Sequence, residues 1–173
     1  SGNQFNMYGG TIQNNSAVDG GGVYIAPAKN AYSAGEMTIC GDAVIQGNKA
    51  GSVLNNVSLP SGKTITISGK LGKNANIGVT TRANLSQGNV NIATATDAGW
   101  VVAKDFTSDN SAYDVGLVND GKTVQLQVHS HQWKYTANGA TITAACKAPS
   151  CLAPAGGSVT INKPAHTTYG DGQ

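Results

Sequence analysis

The chain has 173 residues, enough for one or two domains with a modest core. Charged residues are 12% and aromatics 6%, the formal net charge is +2, and the basic residues are dispersed, which argues against a nucleic-acid partner. No apolar run reaches the length of a membrane span, and helix formers are scarce (Glu36 is the single Glu and Arg82 the single Arg), so β-branched residues between Gly, Asn, Asp and Ser clusters predict an all-β protein.

The first informative stretch is GGTIQNNSAVDGGGVYI, residues 9–25. A glycine loop that cradles phosphate runs into a helix. Here Gly20-Gly21-Gly22 runs into Val23-Tyr24-Ile25, which is strand material. A repeat supplies the better explanation. FNMYGGTIQNNSA at residues 5–17 aligns with MTICGDAVIQGNKA at residues 37–50, with one inserted residue. Met7 falls on Ile39, Gly9 on Gly41, Ile12 on Ile45, Gln13 on Gln46, Asn15 on Asn48 and Ala17 on Ala50. Val23-Tyr24-Ile25 then falls on Val57-Ser58-Leu59. A third, shorter copy runs through Thr64-Ile65-Thr66-Ile67, Leu71-Gly72-Lys73-Asn74-Ala75 and Ile77-Gly78-Val79-Thr80.

Self-similarity at this period marks stacked repeats. Short apolar-alternating segments with Gly and Asn at the corners suit the coil of a parallel β-helix, because those residues turn with left-handed angles at least cost. Ile12, Ile45 and Leu71 are expected to form one inward ladder. An ordinary β-sandwich with chance similarity is the rival reading.

FNM, GGTI, NSA and GGGVY in residues 5–24 resemble the repeats of right-handed parallel β-helix (pectin-lyase-like) surface proteins. Such repeats occur in adhesin-like proteins of gut Gram-positive bacteria, and they are similar to the GG-aliphatic repeats of polymorphic outer-membrane autotransporters. The resemblance covers about residues 3–85. It implies an extracellular, cell-surface segment of a longer chain. The second copy departs from it, with Gly41-Asp42 for the glycine pair and Gly51-Ser52-Val53-Leu54 for the triplet. With the shorter third copy, this suggests a helix tapering to its end.

Residues 86–128 read as strands in another style. Asn119-Asp120-Gly121 between two alternating runs predicts a hairpin, and the segment is expected to cover the open end of the β-helix. Asp105, Asp109 and Asp114 lie in or beside a polar loop. Their spacing fits no EF-hand, so a solvated loop is preferred over calcium. Residues 129–173 read as a small three-stranded module and linker, too small to hold together without a staple. A disulfide between Cys146 and Cys151 would supply one. The alternative staple is a structural zinc held by His129, His131, Cys146 and Cys151, with no open position for catalysis. Cys40, beside Ile39, reads as a small packing residue.

The fold expected is therefore all-β: the C-terminal coils of a right-handed parallel β-helix (residues 1–85), a β cap (86–128) and a small β module (129–173). Glycoside hydrolysis needs a spaced carboxylate pair. In the three copies the only acids are Asp19, Glu36 and Asp42, and none recurs at an equivalent position. The reading is a non-catalytic adhesin or spacer without cofactor, monomeric, with a host or dietary glycan or a surface protein as partner. Tyr8, Tyr24 and Tyr32 are the stacking candidates, with structural edge positions as their plainer role. The alternative is a fragment of a polysaccharide-active enzyme whose catalytic coils lie upstream.

Overall fold

The computed structural model describes residues 3–29, 34–129, 133–138, 141–146 and 158–162. Two compact units divide the chain, Ser1–Val128 and His129–Gln173.

The first coil of the larger unit comprises β1 (Gln4–Met7), β2 (Gly10–Gln13), β3 (Ser16–Ala17) and β4 (Val23–Tyr24). The second comprises β5 (Glu36–Gly41), β6 (Ala43–Gln46), β7 (Lys49–Ala50), β8 (Val53–Leu54) and β9 (Val57–Leu59). The third has two long strands, β10 (Ile65–Leu71) and β11 (Asn76–Thr81). Parallel pairing stacks β1 on β5 on β10, and β2 on β6 on β11. The result is a parallel β-solenoid of about three turns, as the repeat predicts.

Glycines and one asparagine turn the corners. Gly41, Gly47 and Asn14 have φ of 64°, 67° and 58°, where most side chains are strained. Between corners, alternation places one set of side chains inward. Met7, Ile39 and Ile67 stack in one register column, and Ile12, Ile45 and Ile77 in another. The third rung is therefore Ile77, and the expected Leu71 is corrected. Leu71 ends β10 opposite Gly41, beyond a register shift. The cause is a longer corner: Ile77 comes ten positions after Ile67, whereas Ile45 comes six positions after Ile39. The first two coils leave the stack between β2 and β4, and between β6 and β9, to form the side sheet β3-β7-β8. In the third coil β11 runs straight through, pairing with β6 at one end and β9 at the other.

Parallel stacking continues past residue 85. Strand β12 (Val90–Ala95) lies parallel on β10, and β13 (Phe106–Ser108) parallel on β11. The chain then reverses in the hairpin β14 (Tyr113–Val118) and β15 (Thr123–Val128), and β15 pairs antiparallel with β12. The expected turn is present: Asn119, Asp120 and Gly121 all have positive φ. One core runs from Met7 through Ile39, Ile67 and Ile92 to Leu126, so the hairpin covers the last coil.

The smaller unit is an antiparallel meander of β16 (Trp133–Asn138), β17 (Thr141–Cys146) and β18 (Ser158–Asn162). No helix among the described residues is long and apolar enough to cross a membrane.

Candidate functional site on the lateral face

Strand alternation turns Tyr24 outward from β4, between the buried Val23 and Ile25. The register places Tyr24, Ser58 and Thr80 in one column across three coils. Arg82, just past β11, folds back over that column. Its guanidinium carbon lies 4.6 Å from the centre of the Tyr24 ring, a cation–π contact. Its Nε and Nη2 donate to Ser58 Oγ at 3.2 and 3.0 Å, and Nη1 donates to Tyr24 Oη at 3.4 Å. Nη2 also meets Asp19 Oδ2 at 2.9 Å. Asn55 locks the adjoining loop, accepting from Gly20 N at 3.0 Å.

The patch thus gathers Asp19 and Tyr24 from the first coil, Asn55 and Ser58 from the second, and Arg82 after the third. Ser58 is buried beneath it, and Tyr24 remains half exposed. The guanidinium occupies one ring face, and Tyr24 also lines a groove with Phe5, Ile25 and Glu36. Tyr8, 66% exposed, follows β1 in the other large sheet, so the two tyrosines are not one platform. Around Tyr8 the outward column is polar and in register: Asn6, Thr38, Thr66 and Thr94. Tyr32 lies outside the described residues.

The sequence pattern conceals the most connected polar feature. Asn48 is fully buried and Asn56 nearly so. Asn15 donates from its backbone N and from Nδ2 to Asn48 Oδ1, at 3.0 and 2.9 Å. Asn48 Nδ2 donates to the carbonyls of Ile12 and Gln46, and its backbone N donates to Asn56 Oδ1 at 2.8 Å. Asn56 donates to Asp109 through its backbone N at 2.7 Å and Nδ2 at 2.5 Å, and Thr80 Oγ1 donates to the same carboxylate at 2.8 Å. This spine links the first coil, the second coil and the segment after β13. The shared repeat position of Asn15 and Asn48 was the one available signal.

Two loop acids are accordingly not simply solvated, contrary to the sequence expectation. Asp109 ends the spine. Asp105 is buried, and its Oδ2 accepts from Val102 N at 2.9 Å. Asp114 sits in β14 opposite Gln127. Among the described residues, no group of three or more His, Cys, Asp or Glu could hold a metal ion. Cys40 is a free cysteine, half-buried on the outer side of β5 against Gly69, so its packing role lies outside the core. No protein-family model, curated protein or solved structure matches the chain significantly.

In the smaller unit, His129 directly follows β15, and Cys146 closes β17 opposite Trp133. His131 and Cys151 lie outside the described residues, so the disulfide and zinc readings both fall there.

Proposed function

We propose that the chain is a non-catalytic segment of a large extracellular bacterial surface protein, working as a stiff spacer. The observation that carries this reading is the hydrogen-bonded spine from Asn15 to Asp109, whose middle, Asn48 and Asn56, is buried. Polar side chains at equivalent positions on successive coils are used for hydrogen bonds inside the rod. A load applied along the stack therefore meets buried hydrogen bonds as well as apolar packing. Pulling the chain between terminal handles tests this. Unfolding of Ser1–Val128 is expected in one step, and Asn48→Ala should lower its rupture force. Coil-by-coil yielding of the native chain at low force would contradict the spacer.

The half-exposed Tyr24 favours a second, compatible role in adhesion. An aromatic ring edged by Arg82 and Asp19 on a flat polar face suits a sugar ring, which stacks on the aromatic while its hydroxyls take hydrogen bonds. On a glycan array, selective binding that weakens in Tyr24→Ala is expected. Binding unchanged by that substitution would move adhesion away from this face.

A further inference from the structure

A groove on the third coil, of about 450 Å³, shares no residue with the Tyr24 patch. Its lining comes from three places in the chain: the end of β10 and the turn after it (Lys70 to Lys73), the loop after β12 (Gly99 to Val102), and the short turn before β13 (Lys104, Asp105). The two walls are tied by Leu71 N donating to Trp100 O at 2.7 Å. Leu71 and Val101 are buried and form an apolar floor. Trp100 is half-buried and packed on the core, so its indole is held in place while part of it remains accessible.

The charge of the groove is uneven. Lys104 has a partner, Asp105, at 3.5 Å. Lys70 and Lys73 are exposed, and neither makes a side-chain hydrogen bond or ion pair among the described residues. Asp42, the other nearby acid, sits against Gly72 and accepts from Asn74 N at 3.0 Å. Two unpaired ammonium groups therefore stand beside a fixed aromatic surface. In a chain with only 11 basic residues, that grouping is not produced by a general surplus of positive charge.

We infer that this groove binds an anionic sugar unit, with the ring on Trp100 and its sulfate or carboxylate on Lys70 and Lys73. The indole stacks on the apolar face of a pyranose, and lysines act as point charges for the acidic group. A simple inorganic anion would have no use for the indole, and a neutral sugar would leave the lysine charges unmatched. This site stands whether or not Tyr24 binds anything.

Isothermal titration calorimetry of the full chain tests it with four probes: 3′-sulfated lactose, 3′-sialylated lactose, plain lactose and inorganic sulfate. Saturable binding of at least one acidic lactose is expected, stronger than lactose or sulfate by about tenfold or more, since a charge-assisted hydrogen bond contributes about that factor. Which acidic probe binds better separates a sulfate from a carboxylate ligand. Lys70→Ala/Lys73→Ala, which changes only exposed side chains, should weaken it by a similar factor, Trp100→Ala should weaken it too, and Tyr24→Ala should leave it unchanged. Equal affinity for lactose, equal affinity for inorganic sulfate, indifference to the lysine pair, or no saturable binding of either acidic lactose would each overturn the inference.

Discussion

Asn48 uses its side chain to hydrogen-bond Asn15 and Ile12 in the first coil and Gln46 and Asn56 in its own. Replacing it with Ala would strip a donor from the buried Asn56 Oδ1 and leave Asn15 Nδ2 and the carbonyls of Ile12 and Gln46 without this partner in a partly buried setting. An unsatisfied buried group costs about 1–3 kcal/mol and a partly exposed one less, so Asn48→Ala should lose about 1–3 kcal/mol in urea unfolding. A loss under about 0.5 kcal/mol would show that water replaces the amide freely. The glycines of the opening triplet are constrained for a different reason. A Cβ on Gly22 would stand 2.6 Å from Asn56 O, and one on Gly21 would meet the Lys49 backbone. Gly22→Ala should therefore destabilise, while Gly51→Ala, in open space, costs only the strain of its positive φ. By contrast, Arg82→Ala removes a surface ion pair and an exposed cation–π contact, each worth about 1 kcal/mol or less, together with the two donors to the Oγ of the buried Ser58. Its effect should appear in ligand binding near Tyr24 and, through Ser58, in a modest fall of the unfolding midpoint.

At the scale of elements, the hairpin β14–β15 decides whether the solenoid has a finished end. Leu126 and Val124 are buried and reach into the core shared with Ile92. Leu126→Ala should cost about 2–5 kcal/mol, the range for deleting a buried Leu side chain. It should also raise binding of a hydrophobic dye, since loosening β15 exposes the edge of β12. A stable variant with unchanged dye binding would mean that the last coil does not depend on its cover. The coils and this hairpin were legible in the sequence because their signals are local: a period of about 33 residues in register, and Asn-Asp-Gly between alternating runs. The third rung was not. Matching apolar residues selected Leu71, but four extra residues at the corner between β10 and β11 moved the partner of Ile45 to Ile77. The spine was also hidden, because Asn serves both corners and interior. Asn14 turns a corner with positive φ, while its neighbour Asn15 joins the spine. No local pattern tells them apart, and Asp109 lies 53 residues from the Asn56 it receives. The Lys70, Lys73 and Trp100 groove was equally out of reach, since dispersed lysines come together only once β10 and the loop after β12 are stacked.

For the whole molecule, the two compact units make separate predictions. A chain ending at Val128 keeps every hydrogen bond of the spine and the full core, so it should unfold at the same denaturant midpoint as that unit in the intact chain. The spacer reading requires more than stability. It requires that the coils do not open independently, because a rod that frays coil by coil transmits no load. Native-state hydrogen exchange measures this most directly. Amides of β5, β10 and β12, with those of Asn48 and Asn56, should exchange together, at the free energy of global unfolding of the larger unit. Asn48→Ala should lower that shared value across all three strands. Separate opening energies for successive coils, or protection in β12 that ignores Asn48→Ala, would contradict the account.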